Sequence, residues 1–331
     1  MIRFGVLGAG FIGSVHAGNI AANPRARLIS VFDIDEKKAG LIAEKHGARV
    51  GTSAEQLLGE SEIDAVVIAS STPTHVSYLK AAAEAGKAIL CEKPISLDYE
   101  EAREAHGIVE HSAVPVMVGF NRRFDRNYSA LKDTIETGTI GKVEIIQVTH
   151  RGPQLPSLEY LKVSGGQFRD SGVHFYDLVR WLTNEDPAEV FAFGSCLVDP
   201  SIAEFGDTDT SIISLRFDSG ALCQINFSRR TAYGYEDRIE VFGSEGMVES
   251  QRQRRGEVAI YKGDRITVDG LHRGWFERTK ATYGLEIDAL IEALEKREMP
   301  SPSLTDGLKA QAVAEAATES YKTSRPVLVS Y

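Results

Sequence analysis

A doubly wound parallel α/β sheet is the fold class that the amino-terminal third of this sequence predicts, and two observations predict it. The chain opens on an apolar run closed by three glycines, Gly8, Gly10 and Gly13, and a second apolar run comes after it that ends on Asp33. Beyond these, apolar and amphipathic segments alternate strictly as far as Gly119, the pattern of parallel strands joined by crossover helices. At 331 residues the chain exceeds one ordinary domain. Two are expected, over residues 1–120 and 121–331.

Ile2 to Leu7 reads as a short buried strand. Gly8-Ala9-Gly10-Phe11-Ile12-Gly13 is the turn after it, Ser14 to Asn23 has helical character and Pro24 ends it. Arg27 to Phe32 is a second strand with Asp33 at its end. Strand, G-x-G-x-x-G, helix, strand and acidic residue within about 30 residues make up the dinucleotide fingerprint. Gly8 permits the tight turn, Gly10 clears the approach of a pyrophosphate to the backbone, and Gly13 lets the helix pack on the sheet. The helix N-terminus offers free N–H groups and partial positive charge to the phosphates. Asp33 can accept hydrogen bonds from both adenosine ribose hydroxyls and repels a 2′-phosphate, which favours NAD over NADP. Lys37 and Lys38 lie nearby and read as a solvated helix face.

Glu36 to His46 is expected to be helical, with Thr52 or Ser53 capping a further helix through Leu58. Ile63 to Ala69 is a strand buried on both sides, and Ser70 to His75 a polar loop at its carboxyl end. Thr74 to Ala85 is a helix, Lys87 to Cys91 a strand, Leu97 to His111 a helix and Pro115 to Gly119 a strand. Ligands of such sheets lie at the strands' carboxyl ends. That rule selects Gly8 to Gly13 (with Phe11 and Ile12), Asp33, Ser70, Thr72, His75, Glu92 and Lys93 as the lining of one crevice. His75 either touches a nicotinamide ring there or is a helix-start histidine near the surface.

The composition narrows the partners. With 37 basic and 47 acidic side chains the formal charge is −10, which argues against nucleic acid or anionic lipid as the main partner. Cys91, Cys196 and Cys223 are isolated, with no CxxC spacing. They suit a reducing compartment and neither a disulfide framework nor a zinc site. No uncharged apolar run approaches membrane-spanning length, and a strand starting at Ile2 leaves no room for a signal peptide. A cytoplasmic protein is the expectation. Gln251 to Glu257, mixed basic and acidic, reads as a solvated loop.

Two polar constellations carry candidate chemistry. Glu92-Lys93-Pro94 directly succeeds an apolar strand. It is a proline-stiffened charged turn or, from its place at a strand's carboxyl end, part of a site. Downstream, in GGQFRDSGVHFYDLVRWL, Asp170, His174 and Asp177 are spaced i, i+4, i+7 and share one face of a helix. Val173, Leu178, Trp181 and Leu182 give that helix an apolar surface, and Gly165-Gly166 and Asn184-Glu185-Asp186-Pro187 bound it. A solvated acidic stripe, a crevice-facing set and a metal site are the three readings. The last lacks a third ligand at recognisable spacing.

GAGFIG, AEAGKAILCEKP, GFNRRFD and FRDSGVHFYDLVRWL together resemble the glucose–fructose oxidoreductase/inositol dehydrogenase family over nearly the whole chain. GFNRRFD (residues 119–125) and SRRTAYGYEDRIEVFGSEGMV (residues 228–248) are most similar to its myo-inositol 2-dehydrogenase branch. The resemblance implies a second, α+β domain with a large, mostly antiparallel sheet that packs against another subunit. The sequence permits it. Val143–Thr149, Val190–Leu197, Thr210–Phe217, Ala221–Ser228 and Arg238–Phe242 read as strands, with a tight hairpin at Asp218-Ser219-Gly220. A wide sheet with one apolar face must bury it, so a homo-oligomer, a tetramer, is expected.

The resemblance also assigns roles by position. Lys93 is the family's catalytic lysine, and Asp170 and His174 are its catalytic helix pair. Arg123 and Asp177 fall where members contact substrate or cofactor, and Tyr233 lies in a loop that can reach the substrate. Phe175 departs from inositol-type members, which often carry an acid directly after the helix histidine. The activity implied is NAD-dependent oxidation of a secondary hydroxyl of a polyol, myo-inositol to its 2-ketone first. Another sugar, or a non-catalytic nucleotide-binding sensor, are the alternatives. In that chemistry His174 is the base, since imidazole titrates near neutrality. The Lys93 ammonium stabilises alkoxide character, Asp170 orients one of them, and Arg123, Asp177 and Tyr233 bind the other hydroxyls. No metal is expected.

Overall fold

The computed structural model describes residues 1–331. The chain divides into two compact units, Met1–Phe124 with Ala281–Lys309, and Asp125–Lys280 with Ala310–Tyr331.

The first unit alternates strand and helix: β1 Ile2–Leu7, α1 Phe11–Ala22, β2 Ala26–Phe32, α2 Glu36–His46, β3 Arg49–Val50, α3 Ala54–Gly59, β4 Ala65–Ile68, α4 His75–Glu84, β5 Ala88–Cys91, α5 Tyr99–Ser112 and β6 Val116–Val118. The sheet order is β3-β2-β1-β4-β5-β6, with every pairing parallel. This is the doubly wound order that reverses between β1 and β4. All four residues of β4 and of β5 are buried, as strands covered on both faces must be. Asp35, Ser53 and Asp98 cap α2, α3 and α5 through backbone N–H groups of the first turn. Helix α1 starts three residues earlier than its apolar pattern indicates, directly on Phe11.

One segment of this unit comes from far along the chain. In Ala281–Lys309, the side chains of Ile287, Leu290 and Ile291 are fully buried among Phe4, Val6, Leu28 and Leu90. Asp288 takes bonds from Asn23 and Arg25 at 2.8 and 2.9 Å. The Val118 N–H bonds the Pro302 carbonyl at 2.9 Å.

The second unit holds α6 Arg126–Glu136, β7 Val143–Arg151, α7 Leu158–Val163, α8 Val173–Thr183, β8 Pro187–Ser195, β9 Thr210–Phe217, β10 Leu222–Ser228, β11 Glu236–Gly243, β12 Gly246–Glu249 and the small hairpin β13 Ala259–Lys262 with β14 Arg265–Val268. Helices α9, Trp275–Lys296, and α10, Leu304–Thr323, each contain a unit boundary, and β15 is Val327–Leu328. The seven-stranded sheet runs β12-β11-β7-β10-β9-β8-β15 and is antiparallel except between β7 and β10, as the resemblance implied. Its strands alternate with period two. Ile146, Val148, Ile213, Ile225 and Ile239 are fully buried, while Ile145, Phe193, Ile212, Leu222 and Phe242 are exposed. Phe175 of α8 packs on the buried face, 5.4 Å from Phe227 and 5.1 Å from His150 between ring centres.

The regular helix expected across Asp170 to Asp177 is instead two pieces. Phe168–Gly172 forms a π turn that runs into α8. A β-carbon on Gly172 would lie 2.7 Å from the Tyr176 hydroxyl and 2.9 Å from its ring. The buried Tyr176 ring thus packs directly on Gly172 at the end of the π turn, and the i, i+4, i+7 spacing carries no sign of the wider turn.

Candidate active site

The glycine loop is built by contact between the ends of β1 and β4. Gly8 is left-handed at φ +106°, and a β-carbon on it would lie 2.5 Å from the backbone of Ala69 and Ser70. On Gly13 a β-carbon would fall 1.9 Å from the Gly8 carbonyl oxygen. Gly10 is different: it is exposed, and a β-carbon there meets nothing within 4 Å. It precedes α1, whose first turn has no side-chain cap and no acidic residue, so the leading N–H groups and the helix dipole are presented to a ligand. Phe11 is exposed and Ile12 half-buried beside them. Asp33 accepts the Ala9 N–H at 2.6 Å and the Asp35 N–H at 2.8 Å through its two oxygens. Each oxygen keeps a second lone pair for a ribose hydroxyl. An open cradle at Gly10, an uncapped helix start and a fixed carboxylate fit a dinucleotide whose pyrophosphate rests on α1.

The next two loops are tied to one another. Ser70 and Thr74 share a hydroxyl hydrogen bond of 2.6 Å, and Thr72 is half-buried in the 3₁₀ turn between them. His75 is buried, with Nδ1 2.8 Å from the Pro94 carbonyl and Nε2 3.1 Å from the Ser70 carbonyl. It thus links the loop after β4 to the loop that bears Lys93. Lys93 is half-buried and the Lys93–Pro94 peptide is cis. Glu92 bonds His16 of α1, Oε1 to Nε2 at 2.8 Å, and its Oε2 accepts the Lys93 N–H at 3.3 Å. Arg123 lies after β6 in a 3₁₀ turn, buried, with its guanidinium 3.1 Å from Asp306 and 3.3 Å from the Ser301 hydroxyl. Burial would raise the Asp306 carboxyl, but the Arg123 charge and the Ser303 amide and hydroxyl hold it below the usual range.

In the second unit Asp170 lies on the π turn and His174 in the first turn of α8, both half-buried; Asp177 is fully buried one turn on. Burial, with the Asp170 carboxylate accepting its hydroxyl, raises Tyr160 above the ordinary phenol range. Tyr233 is exposed and donates to Glu236 at 2.6 Å; burial of its hydroxyl and that bond raise it as well. A second polar chain carries no motif in the sequence. His150 Nδ1 lies 2.5 Å from Asp237 Oδ1, and Tyr235 donates to the other oxygen of Asp237 at 2.8 Å, all three buried. Strand alternation is the one signal that could find it: His150 continues the inward set Ile146, Val148 of β7, and Asp237 is its register partner on β11.

A 3-2-1-4-5-6 parallel sheet with this glycine loop and Asp33 defines a dinucleotide-binding domain, here joined to a second α/β unit. Residues 2–120 match the GFO/IDH/MocA family described as "Oxidoreductase family, NAD-binding Rossmann fold", and residues 132–329 match its "C-terminal alpha/beta domain". The chain belongs to this oxidoreductase family, and its cofactor is NAD. It is 42% identical over 329 residues to the inositol 2-dehydrogenase of Rhizobium meliloti, covering 99% of both chains. The crystal structure of a myo-inositol dehydrogenase from Corynebacterium glutamicum superposes with a TM-score of 0.95 at 36% identity, over 100% of this chain and 99% of that one. That of a Lactobacillus casei myo-inositol dehydrogenase in complex with NAD(H) and myo-inositol gives 0.89 at 25% identity, over 100% and 97%.

Proposed function

We propose that this chain oxidises a secondary hydroxyl of a cyclic polyol, myo-inositol to 2-keto-myo-inositol. The observation that carries the reading is 42% identity over 329 residues to an inositol 2-dehydrogenase; Lys93 in the first unit and Asp170 and His174 in the second are the residues the resemblance names for the chemistry. When bound, NAD supplies the hydride acceptor. Lys93 donates a hydrogen bond to the reacting oxygen and stabilises negative charge on it. His174 takes the hydroxyl proton as general base. Asp170, held by Tyr160, orients these groups, while Asp177, Arg123 and Tyr233 recognise the remaining hydroxyls. Gly10, Phe11, Ile12, Asp33, Ser70, Thr72, His75 and Glu92 form or support the nucleotide side.

The test is a substrate panel with NAD, monitored by reduced-nicotinamide absorbance. Turnover on myo-inositol well above that on scyllo-inositol, aldoses and amino sugars is expected. Preference for an aldose would replace the substrate and leave the dehydrogenase chemistry intact. Phe175 favours that second reading, because the position where inositol-type members often carry an acid is here fully buried aromatic core.

The exposed apolar set Ile145, Phe193, Ile212, Leu222 and Phe242 on one sheet face supports a homo-oligomer, with a tetramer as the expected mass by light scattering. No helix is long and apolar enough to cross a membrane, in keeping with a cytoplasmic enzyme.

A further inference from the structure

Glu286, in the part of α9 that belongs to the first unit, is fully buried, and neither carboxylate oxygen has a hydrogen-bond partner. An ionised carboxylate only accepts, and leaving one unpaired in a dry interior is costly. Its neighbours are titratable. One ligand atom each of His16, Glu92 and Glu286 lie within 4.8 Å of one another. His16 is fully buried, and its ring meets Tyr283, one turn before Glu286, edge-on at 5.6 Å between ring centres. The Glu92 side chain is 12% exposed. A β-carbon on Gly119 would come within 2.8 Å of its Oε2, so that carboxylate is walled in. One oxygen serves His16 and the other the Lys93 amide.

Two carboxylates this close, one of them fully buried, do not readily both ionise. Glu92 has the partners that stabilise an anion, and Glu286 has none. Burial, then the charge of Glu92, accordingly holds Glu286 well above the ordinary carboxyl range. A metal ion is the other way to balance a second charge. Ligands about 2.0–2.1 Å from a tetrahedral zinc stand about 3.3 Å apart. His16 and Glu92 stand at 2.8 Å, the separation of a direct hydrogen bond.

We propose that Glu286 carries a proton at neutral pH and is a positioning residue, leaving Glu92 the one anion of a buried His16–Glu92–Glu286 triad and so fixing the backbone that presents Lys93. The consequence for the reaction rests on the role of Lys93 under the proposed function; the protonation state does not. Ionising Glu286 sets a second negative charge against Glu92, with His16 and Tyr283 as the further titratable neighbours. A carboxyl whose folded pKa is raised keeps a proton that the unfolded chain has released, so stability falls as pH climbs from the unfolded value toward the folded one.

Infrared difference spectroscopy on the full chain tests the protonation directly. A carboxylic acid C=O band at pH 7 is expected, absent from Glu286→Gln and vanishing in the wild type at alkaline pH. Glu286→Gln, which keeps shape and a donor but cannot ionise, is expected to retain kcat within about twofold at pH 7. Its melting temperature is expected to gain on the wild type as pH rises from 5 to 9. Glu286→Ala is expected to lose about tenfold in kcat with little change in the KM for NAD. A wild-type spectrum without that band, or one tightly bound metal per chain by elemental analysis, would overturn the proposal. A normal band with Lys93→Ala fully active would leave the proton in place and remove Lys93 from the reaction instead.

Discussion

The Asp33 carboxylate accepts the Ala9 backbone N–H at 2.6 Å, so the acid that ends β2 holds the glycine loop at the end of β1. Loop anchoring is thus one task of this side chain, and ribose recognition is the second task proposed for it. Asp33→Ala is expected to weaken NAD by more than about tenfold and to relax discrimination against NADP, since a repelling carboxylate is lost. Fluorescence titrations with both cofactors measure this. An unchanged NAD/NADP ratio would mean that Asp33 only anchors the loop.

The three glycines of the loop separate folding from binding. Gly13→Ala drives a methyl to 1.9 Å from the Gly8 carbonyl, which is backbone and cannot rotate away, so a loss of about 3 kcal/mol in urea melts is expected. Gly10→Ala meets no protein atom within 4 Å. Its melting temperature should stay within about 2 °C of the wild type while calorimetric NAD affinity falls steeply. Equal destabilisation by both would show that Gly10 is structural.

Lys93→Ala is expected to lower turnover about 10²-fold and to leave the dissociation constant for NAD within about twofold. His174→Ala should do the same and, in addition, remove the acidic limb of the pH–rate profile, which Lys93→Ala retains. Near-normal turnover in either variant removes that residue from the chemistry.

Asp306 makes stability depend on acid. Its carboxyl is half-buried, and it is held low by Arg123 and Ser303. A depressed carboxyl adds stability above its unfolded pKa of about 3.9, and that stability is lost as pH falls through the lower folded value. Denaturant melts should show the loss beginning below about pH 5, with a shallower acid slope in Asp306→Asn. At pH 7 that variant should be less stable by about 3 kcal/mol, because the buried Arg123 loses the Asp306 anion. Identical acid slopes would place the acid sensitivity elsewhere.

The nucleotide-binding half was legible because its signals are local. An apolar run that must be a strand, glycines that alone fit the turn and an acid at the next strand end are all fixed by neighbours in the chain. The strands of the second sheet showed through period-two alternation for the same reason. The roles proposed for Lys93, Asp170 and His174 rest on family resemblance and not on spacing.

Other features depend on partners far apart in sequence. Nothing before residue 281 announces that Ala281–Lys309 completes the first unit's core. Arg123 proved to be an ion-pair partner of Asp306. His16, Glu92 and Glu286 gain their meaning only where α1, the end of β5 and α9 meet. The sequence by itself determined which segments become strands and helices and which loop takes the glycine turn that fits a dinucleotide, because sterics and polarity act between near neighbours. Tertiary structure alone decided which charges are buried together, because desolvation depends on every group that folding brings around them.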